Sequence, residues 1–256
     1  MHKPRMMSTN NQPSRSNELV VTIDGPAGAG KSTVAKQLAQ RLGFSFLDTG
    51  AMYRCVTLAV IRSEIDPSDI EAVAEIAREA KIEFDCDEVL LNGQAVTHEI
   101  RTPAIGKLIG TISDNLEVRR LLSQLQREWA AGKSVVSEGR DQGTEVFSDS
   151  PCKIFLSASP ETRAKRRQIE LAERGIHLDF QSVLDQQNQR DAEDAKRTVG
   201  ALRIAPDAIR VFTDGLPLEE VVERLVLLVK NCREGRARVG LAPPHNSNTA
   251  AASESA

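Results

Sequence analysis

One short run constrains this chain more than any other. Residues 25–33 read Gly25, Pro26, Ala27, Gly28, Ala29, Gly30, Lys31, Ser32, Thr33, the spacing G-x-x-x-x-G-K-[ST]. Ahead of it, residues 18–24 (ELVVTID) form a short apolar stretch rich in β-branched side chains, which predicts a buried strand. Behind it, residues 31–42 place Val34, Leu38 and Leu42, with Ala35 and Ala39, on one face of a helix closed by Gly43. A strand, a glycine loop and a helix in that order form a cradle for phosphate. The glycines let successive N–H groups turn inward, and the helix adds the positive end of its dipole. In that reading residues 25–33 surround a nucleotide's phosphates, Lys31 reaches the β- and γ-phosphates, and Ser32 ligates Mg2+. The bland alternative is a glycine-rich turn capping a helix. A chance match at average glycine usage is on the order of one in a hundred for a chain this long, and here the flanking strand and helix are also present.

The rest of the chain alternates in the same way. Strands are predicted at 44–47, 134–137, 153–157 and 209–213, and helices at 51–64, 103–114, 116–131, 160–174, 180–197 and 218–232. Such alternation implies a doubly wound α/β fold, a five-stranded parallel sheet of the P-loop kinase type flanked by helices. Residues 66–101 have another texture. After a helical stretch at 68–80, Asn92-Gly93 sits between alternating residues, a strong hairpin signal. A small antiparallel-sheet subdomain is therefore expected as an insert at 66–101. The segments 1–17 and 235–256 are polar and aperiodic, which marks them as disordered tails around a folded unit of 18–234.

Composition excludes several classes. A net charge of -3 over 256 residues gives no general attraction to nucleic acid or an anionic membrane. The longest apolar runs are too short to cross a bilayer, and no apolar stretch follows Lys3 and Arg5, so a secretory signal is not expected. Cys55, Cys86, Cys152 and Cys232 lie far apart with no C-x-x-C pair, pointing to reduced thiols in the cytoplasm, with no disulfide framework and no zinc cage. A monomer acting on small molecules is the expectation.

Among phosphate-loop proteins, a guanine-nucleotide switch would need N-K-x-D and D-x-x-G; neither string occurs. A motor or helicase would need a larger chain. The predicted strand at 134–137 leads into Glu138, which could hold Mg2+ through a water or be an ordinary strand-end carboxylate. Arg54, Arg119, Arg140, Arg163, Arg166, Arg167, Arg190 and Arg197 lie near predicted sheet ends or on the two helices after the fourth strand. Two substrates that together carry four phosphates need such bidentate donors.

Four further strings make the chain recognisable: residues 48–54 (DTGAMYR), 138–144 (EGRDQGT), 153–156 (KIFL) and 190–197 (RDAEDAKR). Together, in order and spacing, they closely resemble the bacterial cytidylate kinase family, from about residue 19 to about residue 231. The resemblance implies transfer of the γ-phosphoryl group of ATP to CMP or dCMP, with Mg2+. It also implies roles residue by residue. Arg54, Arg140 and Arg197 would grip the CMP phosphate, with Thr49 in the same site; Lys31, Arg140 and Arg197 would be the catalytic cations. Arg119 and Asp141 would read the cytosine, Arg190 and Asp194 the sugar, and Tyr53 would lie along it. Arg163 and Arg166 would belong to a lid over ATP, within 159–197. One position departs: the family's base-contacting serine falls at Gly110, followed by Thr111.

These roles make physical sense. Cytosine offers an amine donor beside a ring-nitrogen and a carbonyl acceptor, an edge matched by a carboxylate and a guanidinium. Uracil would turn a carbonyl towards the carboxylate. Each role also has a plainer rival. Asp48 and Thr49 suit the cap of the next helix as well as a site role. Arg190/Asp194 and Glu193/Arg197 could be solvated i,i+4 pairs. The basic cluster Arg163, Lys165, Arg166, Arg167 could be a solvated face, although its arginines would repel one another without an anion. Other readings of the whole chain are a kinase for UMP or shikimate, or a nucleotide-dependent regulatory protein. No Gly-Gly pair occurs, which disfavours a glycine-rich shikimate site.

Overall fold

The structure is a computed structural model and describes residues 18–85, 88–173 and 175–235. The expected tail at 1–17, all of the expected tail at 235–256 beyond Gly235, and Cys86 lie outside the described residues. Strand β1 (Val20–Asp24) pairs in parallel with β6 (Val135–Gly139) on one side and β7 (Cys152–Ser157) on the other. β2 (Ser45–Asp48) and β8 (Ile209–Phe212) complete the sheet, whose order is β2-β6-β1-β7-β8 with every pairing parallel. The five-stranded parallel sheet expected from the alternation is the one found. β1 therefore ends centrally, flanked by the carboxyl ends of two neighbours. That is where α/β sheets place their ligands.

Helix α1 (Lys31–Leu42) buries Val34, Ala35, Leu38 and Ala39 and no other apolar residue, which explains its spacing. It packs with α8 (Leu218–Arg233) on one face of the sheet, closing a core of Val21, Ile23, Leu38, Ile154, Val211 and Leu225. Gly43 stops α1 in the left-handed conformation (φ 67°), and the following N–H of Phe44 returns to the Ala39 carbonyl at 2.9 Å. On the opposite face, α2 (Thr49–Arg62), α3 (Ile70–Glu79), α4 (Pro103–Asp114) and α5 (Leu116–Ala130) enclose a second core that includes Leu47, Val56, Val73, Ile112 and Leu122. Truncating one fully buried leucine of either core to alanine costs about 2–5 kcal/mol.

The insert is a three-stranded antiparallel sheet, β3 (Ile82–Asp85), β4 (Glu88–Leu91) and β5 (Gln94–Ala95). Its turn is built by Asn92 (φ 52°) and Gly93 (φ 77°), a positive-φ pair that suits the right-handed twist of the two strands. Asn92 also accepts the Lys81 N–H on its side-chain oxygen at 2.9 Å. A 3-10 turn, Glu99–Arg101, returns the chain to α4.

Predicted boundaries shift where caps decide them. α3 begins at Ile70, not near 68, because the Asp69 side chain accepts the Ala72 N–H. The strand expected at 134–137 runs on to Gly139, which sets Glu138 inside the sheet edge. Two helices follow β7: α6 (Pro160–Glu173) and α7 (Phe180–Lys196). Among the described residues no helix is long and apolar enough to cross a membrane.

Candidate active site

The loop after β1 owes its path to glycine. Gly25 has φ 151°, and a Cβ there would sit 2.0 Å from the Leu156 carbonyl oxygen. Gly28 (φ 74°) lets the Gln187 side chain of α7 approach to where a Cβ would meet it at 2.6 Å. Lys31 opens α1, is buried, and donates to the Pro26 carbonyl at 2.9 Å, folding back over its own loop. Burial, and then the Arg140 guanidinium, hold its pKa well below the usual lysine range, opposed by Glu138 and Asp24.

Ser32 donates from Oγ to Glu138 Oε1 at 2.6 Å. Burial, and then Asp48, raise the Glu138 carboxyl above its ordinary range, against the pull of Lys31 and Ser32. A hydroxyl and a carboxylate are the oxygen donors a magnesium ion takes. Among the described residues no group of three or more His, Cys, Asp or Glu side chains could hold a metal. An ion at Ser32 would draw its remaining ligands from nucleotide and water.

Across from the loop, arginines converge from separate elements. Arg140 follows β6, donates from Nε to Asp194 at 3.1 Å and sits close enough to Lys31 to depress its pKa. Arg197 caps the end of α7, bonding Asp194 at 2.7 Å and Asp114 at 2.7 Å. Arg54 of α2 donates to the Ile100 carbonyl at 3.1 Å, so the insert's return turn helps aim it. Arg190 of α7 stands close enough to Arg54 to depress its pKa. Desolvation first, then mutual repulsion within this set, lowers the pKa of both. Such a cluster of cations is costly to assemble, and a dianion relieves it.

At the inner end of the cleft, Arg119 of α5 bonds the Asp141 carboxylate, and both are buried. Arg119 also donates to the Ser113 carbonyl at 3.1 Å and stacks 5.6 Å above the Tyr53 ring. Its Nε is a buried donor without a partner. Asp141 is held from behind. Gln142 donates to it at 3.3 Å and accepts from Ser137 at 2.8 Å. The Gln142 and Gly143 N–H groups donate to Asp24 at 2.9 and 2.7 Å. Burial pushes the Asp24 carboxyl up to about 7 against those two amides.

A family model described as Cytidylate kinase matches residues 21–231. The chain belongs to the cytidylate kinase family. The cytidylate kinase of Rhodopirellula baltica is 49% identical over 219 residues, 86% of this chain and 96% of that protein. The cytidylate kinase of Caldanaerobacter subterraneus is 46% identical over 215 residues, 84% and 96% of the two chains. That of Mycolicibacterium paratuberculosis is 46% identical over 224 residues, 86% and 98%.

For a member of the cytidylate kinase family, several residues sit differently from the sequence expectation. Arg163 does not lie on a solvated face. It is buried, donating from Nε to the Ala158 carbonyl at 3.1 Å and from Nη1 to the Ala27 carbonyl at 3.0 Å, and pairing with Asp191. Arg167 pairs with Glu170 at 2.8 Å, and Arg166 donates to Thr213 at 3.0 and 2.9 Å. The three arginines of the basic cluster thus find protein partners, and the repulsion argument for an anion there loses its force. Asp194 pairs with Arg140 and Arg197, and not, as the i,i+4 spacing suggested, with Arg190. Thr49 turns its hydroxyl inward to the Glu138 carbonyl at 2.7 Å, bracing β6, while Asp48 caps α2 through the Ala51 N–H at 2.8 Å. Tyr53 lies under Arg119 at the inner end of the cleft. Thr111 is exposed, and the neighbour of Arg119 on α4 is the buried Ser113.

Sequence reasoning missed Asp24, Gln142, Asp191 and Thr213. Gln142 and Asp191 stood inside quoted motifs without a role. Nothing in the spacing of the others signals contacts made across as many as 119 residues.

Proposed function

We propose that this protein transfers the γ-phosphoryl group of ATP to CMP or dCMP, giving ADP and CDP or dCDP. The observation that carries the reading is the buried Arg119–Asp141 pair at the end of an arginine-lined cleft facing the phosphate loop. The carboxylate of Asp141 accepts from the cytosine amine, and the guanidinium of Arg119 donates to the acceptors beside it. The unpartnered Arg119 Nε is the kind of buried donor a base would satisfy. Arg54, Arg140 and Arg197 hold the acceptor phosphate, and Arg190 with Asp194 border its sugar.

The attacking group is a phosphate oxygen that is already mostly ionised at neutral pH, since its second pKa is about 6. No strong general base is needed. Lys31, Arg140 and Arg197 lower the barrier by neutralising charge that spreads over the transferring phosphoryl group, and by holding the two substrates in line. Bound at Ser32, with Glu138 reached through water, Mg2+ would supply further charge neutralisation. Both are oxygen donors and stand within 2.6 Å of one another. A cavity of about 220 Å³ beside the loop, lined by Thr33, Val34, Arg166, Thr213 and Leu216, suits the adenine of ATP. Closure of α6 and α7 over the cleft excludes water and so limits wasteful ATP hydrolysis. The working unit is residues 18–234, a cytoplasmic monomer.

The test is turnover with CMP, dCMP and UMP in the presence of ATP and Mg2+. CMP and dCMP are expected to be used with kcat/KM within about fivefold of each other, the equivalent of one hydrogen bond of roughly 1 kcal/mol. UMP should be poorer by a larger factor. Equal use of UMP would reject the cytosine reading, and absence of turnover with every nucleotide would reject the kinase reading.

A further inference from the structure

Helix α7 lays one face along both halves of the cleft. Gln187, Asp191 and Asp194 fall at i, i+4 and i+7 and share that face. Gln187 rests over Gly28 and donates to the Arg163 carbonyl at 3.3 Å. Asp191 accepts the Ala27 N–H on one carboxylate oxygen at 3.3 Å and binds the Arg163 guanidinium with the other. Arg163 in turn donates to the Ala27 carbonyl at 3.0 Å. Ala27 is thereby held on both its N–H and its C=O by one ion pair between the two lid helices. One turn further along, Asp194 binds Arg140 and Arg197 of the acceptor side.

The geometry points to Asp191 as a positioning residue that couples the two substrate sites. A 17-residue helix spans roughly 25 Å and moves as a body, so what seats its C-terminal end also seats Asp191. An acceptor phosphate bridging Arg54 of α2 to Arg140 and Arg197 holds α7 down on the sheet. With α7 seated, the Asp191–Arg163 pair fixes Ala27, and the phosphate loop has less freedom left to lose when the donor nucleotide arrives. Each ligand then lowers the ordering cost of the other, which is positive coupling without direct contact. Asp191 touches neither substrate in this scheme. This inference rests on reading the two sites as those of ATP and CMP.

The experiment uses the full chain, with Mg2+ and a non-hydrolysable β,γ-imido analogue of ATP. Its Kd is measured by calorimetry with and without saturating CMP, in wild type and in Asp191→Asn, which keeps the side chain's shape and removes its charge. In wild type CMP should tighten the analogue by a factor within the ordinary range of coupled sites, about 5 to 150. In Asp191→Asn that factor should fall at least about threefold, while CMP alone still binds. Gln187→Met, which removes the other polar tie at this end of α7, should lower the factor in the same direction, and it serves alone if Asp191→Asn does not fold. An unchanged factor in the variants, or two ligands that bind wild type with no coupling, overturns the inference and leaves the kinase reading intact. Failure of wild type to bind either nucleotide overturns the kinase reading instead.

Discussion

The phosphate loop presents backbone groups from one unbroken run of residues, whereas the proposed acceptor side of the same cleft presents side chains from α2, α5, the end of β6 and α7. The loop's shape is set by close packing at glycines: Gly25 against the Leu156 carbonyl, Gly28 against Gln187. The acceptor side is shaped by charge. Its arginines are aimed by carboxylates and carbonyls: Asp194 and Asp114 bond Arg197, and the Ile100 carbonyl bonds Arg54. A backbone cradle keeps its geometry when one side chain is changed. A side-chain cluster loses one contact at a time, and each loss falls first on the substrate that used it.

That contrast sets the size of the expected effects. The largest falls on the loop's one charged side chain. Lys31→Ala should leave the fold intact and cut kcat by about 10²–10³-fold, the loss usual for one electrostatic donor to a transition state. Circular dichroism and single-turnover rates check both halves of that statement. If more than about a tenth of the wild-type rate survives, Lys31 does not act on the growing charge.

Asp141→Ala is the matching change on the acceptor side, and it should be selective. It leaves the buried Arg119 and the cytosine amine each without a partner. An unpaired buried polar group costs about 1–3 kcal/mol, so kcat/KM for CMP should fall roughly 5- to 150-fold. The KM for ATP should stay within about threefold. The ratio of CMP to UMP use is the decisive number. Were it unchanged, the base would be read elsewhere and the contrast between the two sides would be drawn in the wrong place.

A subtler effect separates the two sides by proton balance. In the free protein, burial and Arg140 hold the Lys31 pKa below the ordinary lysine range. Phosphates delivered to the loop favour the charged form and raise it again. Between the free and the bound pKa, binding must therefore take up a proton. At about pH 8.5, where an ordinary lysine is still charged, ATP binding should show uptake and weaken as pH rises. Calorimetry in buffers of different ionisation enthalpy measures it. Lys31→Met should abolish the uptake, and CMP binding should show far less of it. Uptake that persists in Lys31→Met would assign the proton to another group.

The smallest effect on chemistry is expected in the insert. Gly93→Ala forces a left-handed alanine at φ 77° in open space, a cost of about 1–2 kcal/mol. The melting temperature should drop, with kcat/KM for CMP changed by less than about twofold. A large kinetic loss would mean that the hairpin itself, and not only the return turn at Ile100, aims Arg54.

The same contrast governs what was legible beforehand. The loop, the five strands and the insert's hairpin are written in local patterns: glycine spacing, apolar period, Asn-Gly. These follow from backbone sterics and burial within a dozen residues. Arg54, Arg140, Arg190 and Arg197 could be singled out beforehand, because they stand near predicted sheet ends or on the two helices after the fourth strand. How they are paired could not. The i,i+4 spacing suggested Arg190 with Asp194, and the run of lid arginines suggested an exposed anion site. In the structure Asp194 faces Arg140 and Arg197, and Arg163 is buried against Ala27 and Asp191. Sequence by itself determined the strand–loop–helix that binds phosphate, since hydrogen-bond geometry and φ preference act between neighbours along the chain. Only the tertiary structure decided which carboxylate meets which guanidinium, because Coulomb and hydrogen-bond energies depend on distance in space, and the sheet order brings Asp24 to Gln142 and Arg163 to Ala27 across more than a hundred residues.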